Sequence, residues 1–345
     1  MKILFLSHTF YPQIGGIEAN TEVLAGAFSE AGHEVHLLTW SADTTGREFP
    51  YRVIRNPGRK LLFHEHKWAD LVFENNPCFR LGWPGLFFRR PSVIAINTWI
   101  SRADGRVSLR DKIKIQWWLK RCKEVIAVSD AIRRVCWPAA TVIANPYRVN
   151  DFKIIPEVVR SGDFVFLGRL VSDKGADQAI RAIHYISAAN NKNGNHTAAP
   201  SLTIIGDGPD RTMLEALVKE LSLTACVTFT GALKGEALSR CLNQHHVLLV
   251  PSAWEEPFGN VVLEGMACGC VPIASDGGGL PEAVGNAGLT FRRNDIESLV
   301  NCIRRLMNDP KLERQLREAA PAHLADHHPR IVSRKYLQVI QKALQ

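Results

Sequence analysis

Short apolar runs alternate with longer stretches of mixed polarity along the whole chain, and Gly, Asn, Ser or Pro bounds each run. In the first half "KILFL" reads as a strand, "PQIGGIEAN" as a glycine loop, and the residues to about Ala31 as a helix. Further strands are predicted at "HEVHLLT", "SVIAIN", "EVIAVS" and "TVIAN". At residue 163 the pattern restarts: "DFVFLGRLVSDKG" is again strand, glycine loop and helix opening. "SLTIIGDGP", "CVTFTG", "HVLLVPS", "VPIASD" and "GLTF" continue it at α/β spacing. Two strand-first halves predict an α/β chain of two doubly wound, Rossmann-like domains facing each other across a cleft. Their expected bounds are 1–155 and 156–328, with a last helix over 329–345 that is able to cross back to the first domain. The polar tract "NNKNGNHTAAP" (190–200) reads as a surface loop. In such sheets ligands sit beyond the carboxyl ends of the strands, where the glycine loops fall.

Composition narrows the class. With 46% apolar and 22% charged residues among 345, disorder is excluded and two full cores are within reach. The opening apolar run is too short for a signal peptide, and no uninterrupted apolar stretch approaches membrane-spanning length, so a cytoplasmic protein is expected. Eight cysteines without a C-x-x-C pair read as reduced thiols. Cys268 and Cys270 flank Gly269, but the histidine-rich spots lie far off in sequence, so no zinc site is expected. The net charge of +8 is segregated: residues 1–150 carry 21 Lys and Arg against 13 Asp and Glu, and the remainder is balanced. That asymmetry points to an anionic partner for the first half.

The stretch "EEPFGNVVLE" (255–264) poses the chemical question, because a carboxylate among apolar residues must be repaid for its desolvation. Gly259 and Asn260 are helix-opening residues, and first-turn N–H groups with the helix dipole form an anion site. A diphosphate above that terminus would meet backbone donors at Gly259–Val261, leaving Glu264 to accept from two vicinal hydroxyls such as a ribose offers. Glu256, held outside the helix by Pro257, is placed for the ligand's other end. In "LGRLVSDKG", Gly168 allows a tight turn, and Arg169 and Lys174 are able to converge on one phosphate. Asp207 in "IGDGP" either touches a ligand or forms a turn. The run "DGGGLPE" (276–282) allows close backbone approach or serves as a packing turn. "QIGGIE" (13–18) is one more strand–glycine–helix anion site. No two Asp stand two residues apart, so the chain lacks a D-x-D clamp. If the ligand is a nucleoside diphosphate sugar, Arg169, Lys174 and helix dipoles must neutralise its leaving group without a metal ion.

Taken together, "SHTFYPQIGGIE", "GRLVSDKG", "IGDGP" and "PSAWEEPFGNVVLEGMACGCVPIASDGGGLPE" resemble the retaining glycosyltransferases of family four, with the GT-B fold. The resemblance covers most of the chain, and the Glu256-to-Glu264 spacing is its most specific element. It implies that Gly15 and Gly16 line the donor diphosphate and that Arg169 and Lys174 neutralise the phosphates. Glu256 would contact the donor sugar, backbone at Phe258–Val261 would hold sugar and diphosphate, and Glu264 would take the ribose hydroxyls. The donor would be a UDP- or GDP-sugar, and the acceptor a glycan or lipid-linked hydroxyl. The family often has a His near the end of the strand that closes at residue 97; here Asn97 stands there, able to donate to or accept from a sugar hydroxyl. Front-face retaining transfer, in which the departing phosphate takes the acceptor proton, does not require that His.

By the same resemblance the first domain takes the acceptor, with Glu18, Trp99 and Ser129 as candidate contacts. For "SLRDKIKIQWWLKRCK" (108–123) two readings stand open. One is an interfacial helix lying on an anionic membrane; the other is a helix that buries Ile113 and Trp117 in the domain core. No nucleic-acid recognition motif is present. The leading expectation is a metal-independent hexosyltransferase in polysaccharide or glycolipid assembly. A catalytically inactive sugar-nucleotide-binding or scaffold homologue is the alternative. A sugar-nucleotide epimerase fits the 256–264 spacing poorly, and a dinucleotide-dependent dehydrogenase lacks its compact G-x-G-x-x-G.

Overall fold

The computed structural model describes residues 1–13, 15–43, 45–100, 109–192 and 199–345. The chain divides into two units, Met1–Arg148 with His327–Gln345, and Val149–Asp326. The first joint thus precedes the expected one. Phe152 is 2% exposed, the Ile155 N–H donates to Asn243 Oδ1 at 2.9 Å, and Asn243 Nδ2 donates to the Lys153 carbonyl at 2.9 Å. Those contacts tie 150–155 to the second unit.

The first unit is built on seven parallel strands in the order β3-β2-β1-β4-β5-β6-β7. They are β1 (Lys2–Ser7), β2 (Glu34–Thr39), β3 (Arg52–Arg55), β4 (Leu71–Asn75), β5 (Ser92–Ile96), β6 (Glu124–Ala127) and β7 (Thr141–Val142). Register pairs Phe5 with Leu37 on one side and Phe73 on the other. Phe5, Phe28 and Phe73 form the centre of the core. The last helix, Pro329–Leu344, adds Val332, Tyr336 and Ile340 to that same core, with the Tyr336 ring 5.9 Å from Phe73. An amphipathic helix whose apolar face finds this core cannot belong to the other unit. It brings four cations and no acid, so the first unit carries 25 Lys and Arg against 13 Asp and Glu. The second unit carries 17 against 21.

Two strands of this sheet, β3 and β4, have no counterpart in the strand pattern expected from sequence, and "TVIAN" pairs only through Thr141 and Val142. The central β4 contains Glu74, fully buried. Its carboxylate accepts from the Cys78 N–H at 2.7 Å, from the Trp118 indole at 2.9 and 3.1 Å, and from Arg121 at 3.2 Å. Burial raises its pKa, and these donors oppose that rise.

The same contacts fix the helix Leu109–Lys120. Trp118 and Leu119 are buried, while Ile113 and Trp117, expected inward on the core reading, are 60% and 53% exposed. The helix turns the Trp118 edge to the core because that is where Glu74 needs a donor. Most of the tract at 190–200 lies outside the described residues.

The second unit has six parallel strands in the order β10-β9-β8-β11-β12-β13. These are β8 (Gly162–Leu167), β9 (Leu202–Ile205), β10 (Val227–Gly231), β11 (His245–Val250), β12 (Val271–Ser275) and β13 (Leu289–Phe291). Near-continuous apolar strands such as "HVLLV" and "VPIAS" suit a sheet covered on both faces.

His66, on the helix Arg59–Trp68, is fully buried; its Nε2 lies 2.9 Å from the Leu81 carbonyl and its Nδ1 has no partner among the described residues. Burial lowers its pKa to about 4. The unfolded chain therefore binds the proton first, and stability falls as pH drops from about 6.5 to about 4, by up to about 1.4 kcal/mol per pH unit. Urea unfolding at pH 7 and pH 5 should show a larger loss in the wild type than in His66→Gln, which keeps a donor for Leu81.

Candidate functional site

The candidate donor residues of the second unit gather at the carboxyl ends of β8, β11 and β12, which are neighbours in the sheet. Lys174 lies in a single 3-10 turn, Ser172–Lys174, that follows β8 and precedes the helix Ala176–Lys192. Its Nζ is 2.5 Å from Glu256 Oε1, with the two side chains 23% and 14% exposed. The same oxygen accepts from Ser252 Oγ at 2.7 Å. Ser252 is itself 1% exposed, and its carbonyl accepts from Ser275 Oγ at 2.8 Å. One carboxylate oxygen is thus fixed by a cation and a buried hydroxyl. Lys174 passes over Gly168, and the adjacent Arg169 is exposed and pairs with no described residue.

Backbone bonds between the loops set this arrangement. The Asp173 carbonyl accepts from the N–H groups of Ala253 and Trp254 at 3.0 and 3.2 Å, and Gly279 N–H donates to the Glu256 carbonyl at 2.8 Å. Two glycines make the approach possible. Gly175, at φ +74°, lies so close to the Pro251 carbonyl that a Cβ would collide with it. At Gly278, φ +63°, a Cβ would run into the Glu256 carbonyl oxygen. The run 276–279 is therefore a close backbone approach onto the Glu256 loop.

The helix that follows spans Asn260–Ala267, with Gly259 as its N-cap and no side-chain cap. Glu256 stands outside it, before Pro257, and Glu264 is half-buried at its fifth position. Phe258 is 2% exposed, so its ring belongs to the core. Asp207 is a turn residue: its carboxylate accepts from the Gly208 N–H at 2.8 Å and its carbonyl accepts from the Leu170 N–H at 2.9 Å.

In the first unit, Gly15 is the N-cap of the helix Gly16–Glu30, in extended backbone, and the Glu18 carboxylate folds back against it. Both glycines are exposed. The reading of Asn97 as a catalytic group changes. It is 8% exposed, its Oδ1 accepts from Asn20 Nδ2 at 3.1 Å, and its Nδ2 donates to Asn75 Oδ1 at 2.5 Å. Asn75 in turn donates to Thr21 Oγ1 at 2.6 Å. The amide is committed to tying β4 and β5 to the Gly16–Glu30 helix. Ser129, expected at the acceptor, is fully buried and caps the helix Asp130–Cys136 through the Ile132 N–H at 3.2 Å. Trp99 is half-buried on the loop after β5.

Sequence reasoning passed over Ser252, whose signal is its place four residues before Glu256, just past a strand end. It also passed over Arg293, which donates to Glu255 at 2.9 Å and to the Ala253 carbonyl at 3.3 Å. Among the described residues, no group of three or more His, Cys, Asp or Glu is placed to hold a metal ion.

Two cations, an anchored carboxylate and a helix N-terminus at the carboxyl ends of neighbouring strands suit an anion joined to a polyhydroxy group. Residues 149–323 match the family profile "Glycosyl transferases group 1". The chain belongs to this family. The match coincides almost wholly with the second unit. An uncharacterized glycosyltransferase of Methanocaldococcus jannaschii is 32% identical over 338 residues, covering 82% of this chain and 83% of that one. The D-inositol 3-phosphate glycosyltransferase of Stackebrandtia nassauensis is 30% identical over 235 residues, and the alignment spans only about half (52%) of that protein's length. Among solved structures, Anabaena HepE in complex with UDP superposes with a TM-score of 0.83 at 19% identity, over 99% of this chain and 100% of that one. The fold is GT-B, with two Rossmann-like α/β domains, as the resemblance to family four implied.

Gly278→Ala combines a left-handed backbone penalty with a clash against Glu256. It should cost roughly 2 kcal/mol or more, lowering the Tm by at least about 4 °C in a scanning calorimeter.

Proposed function

We propose that this glycosyltransferase moves a sugar from a nucleoside diphosphate donor, UDP- or GDP-linked, to an acceptor hydroxyl with retention and without a metal ion, in polysaccharide or glycolipid assembly. The observation that carries the reading is the Lys174–Glu256–Ser252 cluster, whose Ser252 and Glu256 lie on the loop that leads into the helix Asn260–Ala267. The UDP held by HepE supports the nucleotide class.

In this reading Arg169 and Lys174 take the charge that develops on the leaving diphosphate, each for about 3–4 kcal/mol in a closed site. Main-chain N–H groups at Gly259–Val261 add the dipole of a helix N-terminus to the same end. Glu256, held by Lys174 and Ser252, accepts from donor-sugar hydroxyls, and Glu264 from those of the ribose. Departing phosphate oxygen receives the acceptor's proton, so no protein base is required. Asn97 acts indirectly, tying the helix that the first-domain glycine turn opens to the ends of β4 and β5.

A thermal-shift panel of UDP-, GDP- and ADP-sugars, run without and then with magnesium, tests the donor site. Saturation at about a hundred times Kd should add about 2.7 kcal/mol for one nucleotide class regardless of magnesium. A folded sample that responds to none of them would sink the donor assignment. Lys174→Ala and Glu256→Gln should each lower kcat/KM for donor turnover by about 10²–10³ while the melting curve stays cooperative. Nucleotide binding with no turnover in the wild type would instead favour the binding-only homologue.

A further inference from the structure

We infer that the segment at 83–90 and the helix Leu109–Lys120 of the first unit together form a docking surface for an anionic phospholipid bilayer. Leu109, Ile113 and Trp117 are 73%, 60% and 53% exposed, and they recur every fourth residue, so they line one face of the helix. That stripe is about 12 Å long at 1.5 Å per residue. The helix is not free to roll it inward, because Trp118 is held by Glu74 on its other side and Leu119 is fully buried. The neighbouring segment 83–90 lies against the same anchor. Trp118 closes over Gly82, and Arg121 lies beside Gly85. From that segment Leu86 and Phe87 project at 52% and 67% exposure. Five large apolar side chains are thus presented on two adjoining elements of one unit.

Charge selects the occupant. Arg89 and Arg90 follow the pair Phe87–Phe88, and the helix carries Arg110, Lys112 and Lys114 between its apolar residues, all five cations exposed. Asp111 is the one acid in the two segments, and the unit as a whole is strongly cationic. A second copy of the chain would bring the same cations face to face, which disfavours self-association. Nucleic acid would neutralise the cations but leave the aliphatic stripe in water. An anionic bilayer satisfies both parts: cations at the phosphates, and Trp117, Ile113 and Leu109 at the headgroup boundary. The surface does not depend on the donor chemistry, so either can fail without the other.

The test is co-sedimentation of the full chain with vesicles of phosphatidylcholine alone or mixed with phosphatidylglycerol. The wild type should pellet with the mixed vesicles, not with the neutral ones, and should be largely released at about 0.5 M salt. The pair Ile113→Ser with Trp117→Ser, and separately the pair Arg110→Glu with Lys112→Glu, should each lower the partition coefficient at least about tenfold. Tyr185→Ser removes a 52% exposed aromatic from the other unit and should leave binding unchanged. Circular dichroism checks that each variant is folded; were a pair to unfold, Lys112→Glu alone should still weaken binding about fivefold or more. The proposal is overturned if the wild type shows no preference for anionic vesicles or if the folded variants bind as it does. It is equally overturned if sedimentation velocity finds a dimer that the Ile113 and Trp117 changes dissociate.

Discussion

In a parallel sheet every chain segment leaves its strand at the same end, and the loops that result have no ladder to complete their hydrogen bonds. The second unit meets that constraint by making its loops pair with one another. Asp173 accepts from Ala253 and Trp254, Gly279 donates to Glu256, and Leu170 donates to Asp207. Everything chemical about the site follows from this stitching. Glu256 is held by its own backbone from the glycine run, and by its carboxylate from Lys174 and Ser252. A carboxylate fixed from two sides keeps its orientation when a ligand arrives, and loses little conformational freedom in doing so.

The first unit solves a different problem. Its strand ends carry Asn75 and Asn97, and Asn20 and Thr21 face them from the Gly16–Glu30 helix. The amides of Asn20, Asn97 and Asn75 each donate to the next polar group in line, which ties the sheet to the helix that opens with the glycine turn, although the buried Asn20 Oδ1 has no partner among the described residues. Exposed cations of this unit lie elsewhere, among them Arg110, Lys112 and Lys114 on the helix Leu109–Lys120. The two units thus carry net charges of opposite sign.

Much of this was legible along the chain. The restart of the strand–glycine–helix pattern near residue 163 located two doubly wound domains, because period and turn residues are local properties. Spacing alone placed Glu256 outside a helix and Glu264 within it, since Pro257 and Gly259 act on their immediate neighbours. The strand β4 escaped notice because Glu74 interrupts its apolar run, and only Trp118, Arg121 and Cys78, brought from elsewhere in the fold, make that carboxylate tolerable there. The Trp118 and Arg121 contacts also decided which way the Leu109–Lys120 helix faces, which no helical period could settle with apolar residues on more than one side.

By itself the sequence determined the α/β class, the two repeats of the fold, the family, and the residue types that gather at the carboxyl ends of the strands, all of which depend on short-range pattern. Tertiary structure decided that the last helix completes the first core through Tyr336. It committed Asn97 and Ser129 to the scaffold, joined Lys174 to Glu256 across 82 residues, and left Ile113 and Trp117 in solvent. The docking of the last helix turns on apolar packing, and the other outcomes on which distant group satisfies a buried donor, acceptor or charge; a residue's neighbours along the chain carry neither kind of information.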